Sequence, residues 1–139
     1  MKLFLDTSVL VKKYIIEEQG AARLATLLTK ASAVIVSPVT WIEIHHAFYR
    51  IKREGLLDPF GLKVVLKSLK EDYVFFHVVA WNNALEEAAV KVLEEFPLRS
   101  QDAVQLAAAM TAESDIFCTA DRKLYLAAKK HFRMIEFMG

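Results

Sequence analysis

Four carboxylates stand where a small hydrolytic site could be assembled: Asp6 in "FLDTSVLVKKY", Glu43 in "SPVTWIEIHHAFYR", Asp102 in "LRSQDAVQLAAAM" and Asp121 in "DIFCTADRKL". Each also has an ordinary structural use. Asp6 and Asp121 both follow an apolar run and precede a helical one, so either can act as a helix N-cap. Asp102 falls in the first turn of its helix, with Ser100 as the expected cap, where an acid complements the helix dipole. Glu43 lies inside a helix, four residues beyond Val39, and its neighbours at three, four and seven residues on are His46, Ala47 and Arg50.

Brought together, the four would do something none does alone. Carboxylates held within about 5 Å repel by roughly 3 kcal/mol per pair at an effective dielectric near ~20. Summed over four groups, that exceeds the stability of a typical domain. A hard divalent cation removes the repulsion. Mg²⁺ and Mn²⁺ prefer oxygen ligands and keep bound waters, and such waters suit phosphodiester hydrolysis.

The acids meet only if the fold carries them to one place. Five short apolar runs, "KLFL", "AVIVS", "YVFFHVV", "DIFCT" and "RMIEF", are rich in Val, Ile and Phe without strict alternation. That pattern predicts strands covered on both faces. Helical periodicity fills the intervals, in "GAARLATLLTK", "VTWIEIHHAFYRIKR", "DPFGLKVVLKSLK", "WNNALEEAAVKVLEEF" and "SQDAVQLAAAMTAE". The alternation predicts an α/β three-layer sandwich around a central parallel five-stranded sheet. If the first and fourth strands are neighbours, the order is 3-2-1-4-5, and Asp6 and Asp121 emerge together at the topological switch, where such sheets bind ligands.

Residues 1–139 are expected to form a single domain, without linker or repeat. The stretch at about 39–71 reads either as a helical hairpin projecting from the sandwich or as an ordinary helix–loop–helix crossover. Pro59 and Gly61 weaken the start of its second helix.

Composition removes several classes of function. The single Cys118, inside an apolar run, excludes an internal disulfide or a thiolate cluster and is expected to be buried. His45 and His46 point about 100° apart on a helix and have no third ligand nearby, which argues against zinc. His77, in the apolar third strand, is expected to be a core histidine. The net charge of +1 argues against a surface that grips nucleic acid everywhere, while leaving room for a local basic groove. With the four acids set aside, basic side chains exceed acidic ones by five.

Arg50 shares a helix face with Glu43 and is the favoured phosphate contact, whereas Lys63, Lys67 and Lys70 read equally as a solvated face. Trp41, Phe48 and Tyr49 are either core or partner surface. No apolar run approaches the roughly 20 residues of a membrane span, and the N-terminal run ends at Asp6, too early for a signal peptide. A cytoplasmic protein without membrane contact is expected. Its 55% hydrophobic composition and mean hydropathy of +0.27 imply apolar surface left for a protein partner or a second copy.

The four acidic segments, in this order and at these spacings, resemble a PIN-domain ribonuclease, and specifically the toxin of a VapBC-type toxin–antitoxin pair, from about residue 2 to residue 137. The resemblance implies that Asp6, Glu43, Asp102 and Asp121 form a catalytic site holding Mg²⁺ or Mn²⁺. It implies that Thr7 or Ser8 orients a carboxylate or a water, and that Thr119 does likewise. It further implies a metal-dependent endoribonuclease acting on structured RNA, homodimeric and silenced by a small antitoxin, with operator DNA bound only through that antitoxin. The alternatives are a non-toxin PIN nuclease of RNA processing and a non-catalytic RNA- or protein-binding module of the same fold. A haloacid-dehalogenase-like phosphatase would need a second Asp where Ser8 stands. A receiver domain would need an Asp after the third strand, and "YVFFHVVAWN" offers none.

Overall fold

The computed structural model describes all 139 residues. Five strands, β1 (Lys2–Leu5), β2 (Ala33–Val36), β3 (His77–Val78), β4 (Ile116–Thr119) and β5 (Met134–Phe137), form one all-parallel sheet in the order 3-2-1-4-5. Helix α1 (Thr7–Leu10) runs into a 3₁₀ turn at Val11–Lys13, followed by α2 (Ala21–Lys30), α3 (Thr40–Arg53) and α4 (Pro59–Tyr73). The second half contributes α5 (Asn83–Glu95), α6 (Ser100–Thr111) and α7 (Arg122–Ala128).

Side-chain alternation in β1 divides the core into two layers. Leu3 and Leu5 pack with Leu24 and Leu27 of α2, Ile44 and Phe48 of α3, and Leu62, Val65 and Leu69 of α4. Phe4 points the other way, toward Leu85 and Val92 of α5, the alanines of α6 and Leu124 of α7. There it stacks on Phe117 of β4 at 5.5 Å. Both faces of β1 and β4 are therefore covered, which is why these strands read as continuous apolar runs. This is the three-layer α/β sandwich expected from the sequence.

β1 lies between β2 and β4, with Phe4 opposite Ile35 on one side and Phe117 on the other. The pairing continues one residue past β1, where the Asp6 N–H donates to the Cys118 carbonyl at 3.0 Å. The carboxyl ends of β1 and β4 thus sit side by side. No helix is long and apolar enough to cross a membrane. Cys118 is buried, and burial pushes its thiol up to about 12.

Three local expectations need correction. The apolar run from Tyr73 is not one strand: Tyr73 closes α4, a turn follows, and only His77 and Val78 pair with β2. Both are exposed because β3 is an edge strand, so His77 is a surface residue and not a core histidine. Pro59 does not weaken α4. It occupies the first helical position, where its missing N–H costs nothing, and the Asp58 carboxylate accepts the Gly61 N–H at 2.6 Å.

Helix α3 ends on Gly55, whose φ of +79° is the left-handed conformation that glycine tolerates best. Its N–H bonds to the Lys52 carbonyl while that of Leu56 reaches Ile51, a Schellman cap that turns the chain toward α4.

Candidate functional site

Asp6 is the first residue beyond β1 and is only 5% exposed. Its Oδ1 accepts the Thr7 backbone N–H at 2.9 Å, capping α1. Its Oδ2 accepts the hydroxyls of Ser8 at 2.7 Å and Thr119 at 2.9 Å. Both hydroxyls are aimed by backbone donors in turn: Ser8 Oγ accepts the Ala120 N–H at 2.9 Å, and Thr119 Oγ1 accepts that of Asp121 at 3.0 Å. The carboxylate is therefore locked across the ends of β1 and β4. Burial pushes its pKa up to about 6, against the downward pull of the two hydroxyls. The charges of Glu43 and Asp102 raise it further.

Glu43, the fourth residue of α3, is half-buried. Its Oε1 accepts the Thr7 hydroxyl at 2.8 Å and the Gln105 amide at 2.5 Å. Gln105 is fully buried, and the same Nε2 stands 3.1 Å from Thr7 Oγ1 and 3.3 Å from Thr40 Oγ1. Its Oε1 is buried without a partner. Sequence reasoning missed Gln105 and Thr40. The available signal was an amide inside the small apolar helix "AVQLAAAM", three residues past Asp102 and so on the same face.

This arrangement predicts the effect of Gln105→Leu. Losing a hydrogen bond to a carboxylate costs about 1.5–3 kcal/mol, while deleting a buried unpaired acceptor returns about 1–3 kcal/mol. The melting temperature should move by less than about 7 °C. With Glu43 released, any cleavage activity should fall about tenfold or more. Thermal denaturation beside a cleavage assay checks both, and a large loss of stability or unchanged cleavage would contradict this role.

Asp102 is the third residue of α6, half-buried; the helix begins at Ser100 and its N-cap is Arg99, so Ser100 is not the cap. Burial raises the Asp102 pKa first, then the charges of Asp121 and Glu43, with Arg99 and Lys123 pulling it down. Asp121 caps α7, its Oδ1 accepting the Leu124 N–H at 3.0 Å. Hydrogen bonds thus tie Asp6 to Ser8 and Thr119, and Glu43 to Thr7 and Gln105. Asp102 and Asp121 join the group through charge.

Arg50 lines a cleft of about 210 Å³ with Thr7, Glu43, His46, Ala47 and Gln101. It is exposed, with Glu54 at 4.0 Å. Lys67 is solvated beside Glu71 at 3.7 Å. Phe48 is core, whereas Trp41 and Tyr49 reach the surface at 38% and 39% exposure.

The donor set fits a hard divalent cation. It is all oxygen, burial and then the charges of Glu43 and Asp102 raise the Asp6 pKa, burial and then those of Asp121 and Glu43 raise that of Asp102, and Arg99 and Lys123 offset part of the charge on Asp102. As placed, no three His, Cys, Asp or Glu side chains surround one point closely enough to hold an ion. Magnesium asks for less than that, since it keeps several waters and takes one or two carboxylates directly. Asp6, Glu43, Asp102 and Asp121 are the residues that would hold such an ion.

Comparison with known families matches the PIN domain profile to residues 3–130. Comparison with curated proteins yields no match. Among solved structures, VapBC2 from Rickettsia felis, bound to a DNA fragment from its promoter, is similar at a TM-score of 0.69 with 12% identity, over 100% of each chain. A toxin–antitoxin complex from Klebsiella pneumoniae gives 0.61 at 20% identity, covering 88% of this chain and 89% of that one. PAE2754 from Pyrobaculum aerophilum gives 0.70 at 20% identity, covering 98% and 83%. At these identities the likeness is one of fold.

Proposed function

The chain belongs to the PIN domain family, and from that premise we propose that it is a metal-dependent endoribonuclease, the toxin of a type II toxin–antitoxin pair. One observation carries the reading. At the sheet's switch point a buried carboxylate, Asp6, is held against its own desolvation and against the like charges of Glu43 and Asp102. Buried acids with raised pKa values cluster at functional sites, and a hard divalent cation offsets such a charge. When bound, Mg²⁺ or Mn²⁺ supplies an acidified water and neutralises charge on the phosphate.

The chain's own residues do the positioning. Ser8 and Thr119 fix the Asp6 carboxylate in one orientation, and Thr7 and Gln105 fix Glu43. Asp102 and Asp121 complete the anionic set, and Arg50, in the cleft with Glu43, meets a substrate phosphate.

The neighbours solved as a toxin–antitoxin complex and as VapBC2 on promoter DNA support extending the reading to partners. These are a small antitoxin that covers the groove, operator DNA held through that antitoxin, and a second copy of the chain in a cytoplasmic homodimer. Ile42, Leu56, Phe60, Val74 and Phe75 are each at least 70% exposed, in keeping with such association. The rival reading, a binding module without catalysis, draws on the fact that Asp6 and Asp121 also cap helices.

The two diverge in one assay. Purified protein with structured RNA and Mg²⁺ should cut it, EDTA should return cutting to background, and excess Mg²⁺ should restore it. Cutting that persists in EDTA overturns the metal dependence, and RNA binding without cutting selects the module.

A further inference from the structure

Away from the acids, cations crowd α7 and the turn beyond it: Arg122, Lys123, Lys129, Lys130 and Arg133. None of them takes part in an ion pair. Lys123 and Leu126, three residues apart on α7, share one face, and Lys130 stands in the turn beyond the helix. The three line one wall of a cleft of about 270 Å³, and Phe96, Pro97 and Leu98 from the turn between α5 and α6 form the other. Lys130 Nζ lies 5.5 Å from the Phe96 ring centre. Leu126 is 49% exposed between the two lysines, and Pro97 is exposed opposite.

The cleft adjoins the acidic site: Lys123 stands two residues past Asp121 in the first turn of α7, and Leu98 four residues before Asp102 at the entrance to α6. An apolar floor between two unpaired cations complements a flat apolar group flanked by anions. Its volume falls just under the ~300–1,000 Å³ of pockets for larger ligands, so it suits one such group at a time. A nucleobase with its neighbouring phosphates has that form.

We propose that this cleft is a nucleotide subsite, taking one unpaired base of single-stranded RNA against Leu126, Pro97 and Leu98, with the flanking phosphates on Lys123 and Lys130. The polymer's identity rests on the nuclease reading; the recognition chemistry rests on the cleft.

Binding of labelled oligoadenylate, and of an abasic oligomer of equal length, tests the subsite in the Asp6→Asn background, where cutting does not interfere. The parent should prefer the oligomer with bases by about tenfold, in line with sequence-tolerant base packing. Leu126→Ser, a change at a half-exposed position, should erase that preference. Lys123→Gln with Lys130→Gln should weaken both probes and flatten the slope of log affinity against log salt by about 1.4.

An undiminished preference after Leu126→Ser, or an unchanged salt slope in the double variant, overturns the subsite. So does loss of a decaglutamate probe with RNA binding intact, which would assign the cleft to an acidic protein segment. Cutting of RNA alongside either result leaves the nuclease reading standing without the subsite. Base preference in wild-type protein that never cuts leaves the subsite standing without the nuclease, and absence of RNA binding by every form overturns both.

Discussion

Asp6→Asn should reduce RNA cleavage by about 10³-fold or more, equivalent to about 4 kcal/mol of barrier, while leaving the protein folded and no less stable above neutral pH. The two halves of this result have separate causes. Activity falls because the amide carries no charge to hold a cation and cannot replace a carboxylate oxygen as its ligand. Stability survives because the native carboxylate is itself a burden on the fold. Its pKa rises from 3.8 to about 6, so ionising it in place costs about 3 kcal/mol relative to the unfolded chain.

The amide avoids that cost but sets an N–H where only acceptors are wanted, facing the Thr7 N–H or the hydroxyls of Ser8 and Thr119. One mismatched pair costs about 1–3 kcal/mol. The net is a protein between unchanged and about 2 kcal/mol more stable, read by thermal melts beside a cleavage time course. Cleavage that survives would remove Asp6 from the chemistry. A variant that fails to fold would make Asp6 a structural cap.

How far the sequence discloses such a site depends on what each residue signals. Leu3, Phe4 and Leu5 form an unbroken apolar run because their strand is covered on both faces, and that run implies the sandwich. Charge marks the four acids wherever they fall, and strand order then brings Asp6 beside Thr119 and Asp121. Gln105 carries no charge, and only its placement inside an alanine-rich helix distinguishes it. Its role depends on α3 and α6 meeting over Thr7, a tertiary fact with no local trace.

The run Tyr73-Val74-Phe75-Phe76 misleads for a different reason. Val74 and Phe75 are 80% and 85% exposed while Tyr73 and Phe76 pack inward. A helix end with its following turn produces the same short apolar string as a buried strand. The cap at Asp58 and Pro59 was visible in the letters, but composition alone weighs proline against a helix without regard to position.

Divalent cations should stabilise the protein, and the effect should appear as pH rises. Without metal, the folded state holds the Asp6 proton more tightly than the unfolded chain does, since 3.8 becomes about 6 on folding. Between those values the native form binds more protons, so stability falls as pH rises, by about 3 kcal/mol in all, and levels off above the folded value. Asp102 is shifted in the same direction and adds to the slope. Subtracting the curve of Asp6→Asn isolates the share of the slope that depends on the Asp6 carboxylate, its coupling to Glu43 and Asp102 included.

Cation binding needs the ionised carboxylate, so it reverses the trend and releases a proton where Asp6 would still be protonated. At a concentration 100 times the dissociation constant, Mg²⁺ or Mn²⁺ would add about 2.7 kcal/mol, or about 5–10 °C for a chain of this size. The gain should shrink as pH falls below the Asp6 pKa of about 6. It should be lost in Asp6→Asn and absent with Na⁺ at equal ionic strength. Melting curves over pH, with and without the cation, measure the effect directly. A gain independent of pH, or retained by Asp6→Asn, would place the ion elsewhere on the molecule.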